Sequence, residues 1–370
     1  MAGGGTAGHL FPCLAVAEEL AELAPGSQMR FVGARGRIDQ RILAERDLPH
    51  ELIDARPVPY RPSLAAVRAA WATVRAVGQS GRIIRDFAPH VVFTTGGFVG
   101  AAVGLAARRA RRALVLHVPD AQPDRGNRLV ARWAAAITAV SERATAALGK
   151  GVVTGHPIRR ELAQATRSDG LSALDLDPSR PTILVTGGSQ GARRLNLAVM
   201  AALPVLLDEL GAQVVHLSGA LDYATLRAEA ERLGDPPAYH LHEHLANPGL
   251  ALVVADLAVT RAGAGSLAEV CLHGVPMIVV PYPFAGGHQR LNAEPLAEAG
   301  AAILVPDEEF TAERLRGLVR ELLGDRDQLA RMAVAARGAA HPGAARAVAR
   351  MVLAVAERAA LAEESPEAVE

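Results

Sequence analysis

Lysine is almost absent from this chain. Lys150 is the only one among 39 basic residues, so its cationic chemistry is arginine chemistry. Cysteine is nearly as scarce: Cys13 and Cys271 are too few and too separated to build a disulfide framework, which points to a reducing compartment. No apolar run approaches the roughly 18 to 20 residues that cross a bilayer, and no charged segment leads into an apolar one as in a secretory signal. The expectation is a soluble or peripheral protein. Several chemistries are missing as well. There is no phosphate loop ending in Lys-Ser/Thr, no cluster with metal-ligand spacing and no Gly-x-Ser-x-Gly elbow. Asp175-Leu176-Asp177 has the spacing of a metal–nucleotide pair but lies outside any strand end.

Net charge is also lacking, yet the zero is a balance of unlike halves. Residues 1–155 hold 20 basic and 12 acidic residues, and the remainder holds 19 and 27. A basic first half suggests an anionic partner. On charge alone, nucleic acid, a membrane surface, a phosphorylated substrate and plain surface variation all remain open. With 370 residues, half of them hydrophobic, the chain can bury two cores.

What is abundant is glycine, and it is concentrated in loops. Gly3-Gly4-Gly5-Thr6-Ala7-Gly8-His9 and Gly187-Gly188-Ser189-Gln190-Gly191 each open a helix-patterned stretch. Such turns let backbone N–H groups approach an anion at a helix N-terminus. Between the loops, short β-branched runs alternate with alanine-rich stretches, the pattern of βαβ units. Strands are expected at 29–32, 90–94, 113–117, 137–140 and 152–154, then at 182–186, 213–217, 257–260, 277–280 and 302–305. Polar Arg167–Pro181 reads as the connection between halves. Only Met1 and Ala2 precede the first loop, so its sheet is expected to lack a strand near the centre, as from a start site placed too far downstream.

Each candidate residue has a chemical and a purely structural explanation. His9, at a helix start expected near Cys13, suits proton abstraction from a sugar hydroxyl, or caps a loop. Thr95-Gly96-Gly97-Phe98 lines the same place, or serves strand–helix packing. Arg159, in Gly155-His156-Pro157-Ile158-Arg159, pairs with a diphosphate or with a surface carboxylate. Ser189 donates to a phosphate or caps its helix. Glu269, expected in a first helical turn after Thr260–Gly265, accepts from ribose hydroxyls or complements the helix dipole. His288, Gln289 and Asn292 follow a strand in a polar loop suited to sugar hydroxyls. Such loops lie beyond the carboxyl ends of strands, where open α/β sheets bind ligands. Arg61, Arg68, Arg75 and Arg82 recur beside Leu64, Val67, Trp71 and Val74 on one helix. That helix either lies on an anionic membrane or turns the apolar set to the core, the second being favoured by spacing.

Taken together, Gly4–His9, Thr95–Val99, Gly155–Arg159, Gly187–Arg193 and Arg261–Glu269 with His288, Gln289 and Asn292 occur in an order that resembles the MurG-type N-acetylglucosaminyltransferases of bacterial cell-wall synthesis. The likeness spans nearly the whole chain. It implies an α/β, GT-B architecture of two Rossmann-like, doubly wound parallel-sheet domains facing a cleft. The divisions would be an acceptor domain at 1–155, a donor domain at 156–340, a helix at 341–360 packing on the first domain, and an acidic tail at 361–370. The implied reaction is inverting transfer of N-acetylglucosamine from UDP to lipid I, giving lipid II, with no obligatory metal and no nucleic acid. It would occur on the cytoplasmic face of the membrane, with a peripheral enzyme that can meet other cell-wall proteins. The resemblance assigns His9 and Asp120 to catalysis, and Thr6, Ala7, Gly8, Gly96 and Gly97 to the acceptor loops. It assigns Arg159 and Ser189 to the diphosphate, the Leu245 backbone to uracil, Glu269 to ribose, and His288 and Gln289 to the donor sugar. Three positions depart from the family pattern: Ala7 stands for a glycine, Val118-Pro119-Asp120 for Glu-Gln-Asn, and His288 for glutamine. A related transferase with another acceptor and a UDP-sugar-binding protein without turnover are the competing readings.

Overall fold

A computed structural model describes residues 1–57, 64–188, 191–283 and 287–364, the side chains of 64–67 and 364 excepted. Contacts divide the chain into two units, residues 1–159 with 343–370 and residues 160–342. The Gly155–Arg159 turn therefore belongs to the first unit rather than opening the second.

In the first unit, strands β1 (Phe31–Ala34), β2 (His50–Ile53), β3 (Val91–Thr94), β4 (Ala113–Val118), β5 (Ala136–Ala139) and β6 (Val152–Val153) are all parallel. Helices α1 (Ala7–Leu23), α2 (Ile38–Glu45), α3 (Leu64–Phe87), α4 (Gly97–Arg109), α5 (Arg125–Ala131) and α6 (Glu142–Leu148) connect them. The place between β1 and β3 is taken by Met1 and Ala2. Ala2 bridges Val32 on one side and Thr94 on the other, and its N–H donates to Phe93 O at 2.8 Å. This short stretch stands where the central strand was expected to be missing. Counting it as a strand, the order runs 3-2-1-4-5-6-7, the doubly wound arrangement with one strand added at the edge.

Alternate strand residues feed cores on opposite faces of this sheet. Val92, Leu114 and Leu116 pack with Val77, Val99 and Val103 from α3 and α4. Phe93 and Val115 pack with Cys13, Val16 and Leu20 of α1 and with Val348, Val352 and Val355 of the C-terminal helix, Ala344–Glu364. That helix runs four residues beyond 360, and the remaining residues lie outside the described part.

The second unit holds β7 (Thr182–Thr186), β8 (Gln213–Leu217), β9 (Tyr239–His242), β10 (Leu257–Thr260), β11 (Met277–Val279) and β12 (Ala302–Leu304), ordered β12-β11-β10-β7-β8-β9 and all parallel. Its helices are α7 (Arg160–Ala163), α8 (Arg167–Ala173), α9 (Arg193–Pro204), α10 (Tyr223–Arg232), α11 (Gly249–Leu252), α12 (Ala264–His273), α13 (His288–Glu298), α14 (Ala312–Gly324) and α15 (Arg326–Gly338). Ile183, Val185, Val214 and Val259 face one core, whereas Leu184, Val215, Ala258 and Met277 face the other. Near-continuous apolar runs are what a sheet covered on both faces requires.

Three expectations are corrected. Helix α1 begins at Ala7, not near Cys13, and simply carries Pro12 within it. Proline there forgoes one backbone bond, to the Gly8 carbonyl, and the chain tolerates the loss. Arg167–Pro181 is not a linker: Thr166 and Asp169 form a capping box for α8, and Leu174 and Leu176 enter the second unit's core. Its polar residues are capping and turn residues, which read in sequence as a connection. On α3, Trp71 and Val74 do not face the core, being 69% and 65% exposed; Ala76, Val77 and Ile84 are buried instead. Arg61 lies outside the described residues.

Candidate active site

In a doubly wound sheet the ligand crevice opens where strand order reverses. In the first unit this is between Ala2 and β3, which are in register at Ala2 and Thr94. The loops Gly3–Thr6 and Thr95–Gly96 therefore leave the sheet side by side. Thr95 joins them: its hydroxyl donates to the His9 carbonyl at 2.6 Å, and its own carbonyl lies 3.0 Å from His9 Nδ1. A carbonyl only accepts, so Nδ1 carries a proton, and in the neutral ring the lone pair is on Nε2. A side chain at Gly97 would sit 3.2 Å from that nitrogen. His9, Gly96 and Gly97 are thus one constellation. Gly96, at φ +86°, packs against the carboxamide of buried Asn127, leaving no room for a Cβ.

Thr6 is the N-cap of α1 and Ala7 its first residue, with Gly8 and His9 in the first turn. Position 7 is helical, with backbone dihedrals that alanine adopts without strain. The substitution of a glycine by Ala7 is therefore accommodated by the helix itself.

A buried acid and two buried histidines complete this crevice, none of them assigned from sequence. Asp39 accepts from the Gly5 N–H at 2.6 Å and the Ala34 N–H at 2.8 Å, fixing the glycine loop from behind. Desolvation raises its pKa despite these donors. His117 Nδ1 lies 3.0 Å from Thr138 Oγ1, and its ring meets that of His156 edge-on at 6.2 Å. His156 donates to the Pro119 carbonyl, and burial holds its pKa down at about 4. His156 also senses the charges of Asp120 and His9, so the four groups share one electrostatic environment. Asp120 itself is half-buried. Arg159 is only 5% exposed, and its guanidinium carbon stands 4.1 Å from the Phe11 ring centroid. It is a buried cation over an aromatic ring rather than a surface arginine.

In the second unit the reversal falls between β7 and β10, in register at Thr186 and Thr260. Gly187–Gly191 follows the first of these strands and Arg261–Gly265 the second. Ser189 and Gln190 lie outside the described residues. Arg261 is buried, donates to the Val280 carbonyl at 3.0 Å and is ion-paired with Asp307 at 2.6 Å, so it braces its loop. Glu269 is half-buried in the second turn of α12, not the first as expected, because the helix begins at Ala264. Helix-dipole stabilisation fades beyond the first turn, which weakens the structural explanation for an acid there. Leu245 is half-buried in the loop after β9, against the second unit's core.

His288 starts α13, with Nδ1 buried and without a partner among the described residues. Gln289 Oε1 accepts from two backbone groups, Ala262 N–H at 3.1 Å and Tyr282 N–H at 2.9 Å. Asn292 Nδ2 donates to Ala262 O at 3.2 Å. With its oxygen engaged twice, Gln289 has only its amide donor left for a ligand.

Two family models match the chain. The glycosyltransferase family 28 N-terminal domain covers residues 1–139, and its C-terminal domain covers residues 182–348. A UDP-N-acetylglucosamine--N-acetylmuramyl-(pentapeptide) pyrophosphoryl-undecaprenol N-acetylglucosamine transferase of Clavibacter sepedonicus is 41% identical over 342 residues, covering 91% of this chain and 90% of the relative. The protein of the same name from Halothermothrix orenii is 35% identical, with coverage of 92% and 94%. The crystal structure of Acinetobacter baumannii MurG superimposes with a TM-score of 0.73 at 28% identity, covering 95% of this chain and 97% of that one.

Proposed function

The chain belongs to glycosyltransferase family 28, and from that premise we propose that it transfers N-acetylglucosamine from UDP-N-acetylglucosamine to lipid I, forming lipid II with inversion. The observation that carries this reading is the likeness, over nine-tenths of both chains, to transferases named for that donor and acceptor.

The donor belongs with the second unit. Glu269 accepts from the two ribose hydroxyls, the Leu245 backbone reads uracil, and the N-terminus of α9 with Ser189 receives the diphosphate. His288 and the amide of Gln289 meet the sugar. Arg159, its guanidinium carbon over the Phe11 ring, supplies a positive charge for the diphosphate.

The acceptor belongs with the first unit, beside Thr6, Ala7, Gly8, Gly96 and Gly97. Its hydroxyl oxygen attacks the anomeric carbon, the bond from that carbon to the diphosphate oxygen breaks, and UDP departs. His9 Nε2 takes the hydroxyl proton, because Nδ1–H is held by the Thr95 carbonyl. Asp120 contributes the negative charge that balances the imidazolium formed. Positive potential from helix N-termini and Arg159 stabilises the leaving diphosphate as its charge develops.

The described residues contain no helix long and apolar enough to cross a membrane. On α3, however, Trp71, Val74, Arg75 and Arg82 are exposed along one face, the pattern of an interfacial helix. We assign this stripe to contact with the anionic cytoplasmic leaflet, where a lipid-borne acceptor resides. A related lipid acceptor is the second reading, favoured by Val118-Pro119-Asp120. The test is release of UDP from UDP-N-acetylglucosamine by the full chain, with and without lipid I. Release that requires lipid I supports the assignment, and none with this acceptor overturns it.

A further inference from the structure

Behind the second glycine-rich loop runs an unbroken chain of buried polar groups that the transfer chemistry does not use. Tyr239 Oη lies 2.9 Å from His216 Nδ1, and His216 Nε2 lies 3.0 Å from Asn196 Oδ1. Asn196 Nδ2 donates to the Ser218 carbonyl at 3.0 Å and to Asp222 Oδ2 at 2.9 Å. Arg193 Nη1 donates to Asp222 Oδ1 at 3.0 Å. His216, Asn196 and Ser218 are fully buried, and Asp222 and Tyr239 nearly so.

The direction of every proton in this chain follows from its ends. Asp222 and the Ser218 carbonyl only accept, so the Asn196 amide must donate to both and its oxygen must accept. His216 therefore donates from Nε2, which leaves Nδ1 to accept from the Tyr239 hydroxyl at 2.9 Å, a stronger acceptor than the Met200 thioether 3.1 Å from the same oxygen. Burial holds His216 neutral, its pKa down at about 3, as this single tautomer requires. A fully satisfied buried network of this kind specifies one geometry.

The geometry it specifies is that of the loop. Arg193 and Asn196 are in the first turn of α9, immediately after Gly191. Gly191, at φ +75°, packs directly on the Ser218 carbonyl, and a Cβ there would overlap that oxygen. Ser218 also receives Asn196. The N-cap residue Ala192 offers no side-chain cap to α9, so the helix start is secured by these distant partners instead.

We propose that Asn196, His216, Asp222 and Tyr239 are positioning residues for donor binding, holding Gly191 and the first turn of α9 so that their N–H groups converge on the diphosphate. This rests on the donor reading of the second unit. A rigid loop spends less of its binding energy on ordering, so loosening the chain weakens the diphosphate contact without touching the acceptor.

The experiment compares wild-type protein with Asp222→Asn, Asn196→Leu and Tyr239→Phe. It reads UDP affinity by calorimetry, KM for UDP-N-acetylglucosamine and for the lipid acceptor, and melting temperature. Asp222→Asn is expected to weaken UDP binding and raise the donor KM about tenfold, the scale of one charge-assisted bond, with the acceptor KM within about twofold. Asn196→Leu should equal or exceed it, and Tyr239→Phe, which removes only the far hydroxyl, should show about a two- to threefold effect. If Asp222→Asn and Asn196→Leu do not fold, Tyr239→Phe decides alone. Variants that melt lower yet bind UDP as tightly as wild type, or that lose donor and acceptor affinity equally, overturn the proposal. Wild-type protein that does not bind UDP at all overturns the donor reading itself.

Discussion

The two units share the strand order 3-2-1-4-5-6, to which the first adds an edge strand, and place glycine-rich loops at the same reversal of it, yet different polar groups are buried behind those loops. Behind the first crevice stand Asp39, His117 and His156, with ring nitrogens on His117 and His156 that have no partner among the described residues. Behind the second stands a polar chain in which every group is paired, ending on Arg193. The difference teaches that the fold supplies only the crevice and its backbone donors. Incompletely bonded histidines behind a loop suit proton movement, whereas a saturated chain behind a loop suits rigid anion binding.

The comparison breaks most sharply at His9. Its replacement by alanine is expected to lower kcat by about 10²- to 10⁴-fold while UDP affinity stays within about twofold. Acceptor-dependent UDP release and UDP calorimetry on one preparation read both quantities. Glu269→Ala is the mirror image: loss of two carboxylate hydrogen bonds should weaken UDP binding by about 10²-fold and spare the turnover of bound donor. Saturation kinetics in the donor would show it, and a pure kcat defect would remove Glu269 from the ribose.

Stability should also depend on pH in a way that marks the buried rings. His156 and His216 have folded pKa values of about 4 and about 3, below the ordinary value near 6.5, because burial disfavours the cation. The unfolded chain then binds protons that the folded one refuses. Their contribution is complete above pH 6.5 and is lost as pH falls toward 4 and 3, by up to about 1.4 kcal/mol per pH unit for each ring. His156→Gln should flatten the profile between pH 6.5 and 4 by one such slope, measured by denaturant unfolding at stepped pH. An unchanged profile would mean His156 is not a buried neutral ring. The smallest effect is expected on α3. Trp71→Ser should reduce sedimentation with anionic vesicles several-fold while leaving UDP affinity at the wild-type value. Equal sedimentation would detach that face from the membrane.

How much of this was legible in the sequence differs between the centre of each sheet and its margins. The strands buried on both faces stood out as β-branched runs, and all ten expected strands have counterparts within a few residues. The two overlooked, His50–Ile53 and Tyr239–His242, are edge strands that each pair on one side only and carry histidine or glutamate on half-exposed faces. Hydropathy has little to detect there. The glycine loops, with His9 and Glu269 as candidates beside them, could be picked out because a motif keeps its members close in sequence. Asp39, which holds Gly5 from 34 residues away, and His216, which meets Asn196 20 residues back, were not. Their partnerships exist only once parallel strands bring distant segments together. Trp71 was misjudged for a different reason: spacing defines a face of α3, but only packing decides that alanine and valine from its other side enter the core.

The division of labour between the crevices is tested most directly by UDP titration calorimetry on His9→Ala and Glu269→Ala side by side, with turnover recorded on the same samples. The account predicts that His9→Ala binds UDP like wild type while losing turnover, and that Glu269→Ala loses UDP binding. Equal loss of UDP affinity in both, or wild-type affinity in Glu269→Ala, would contradict it.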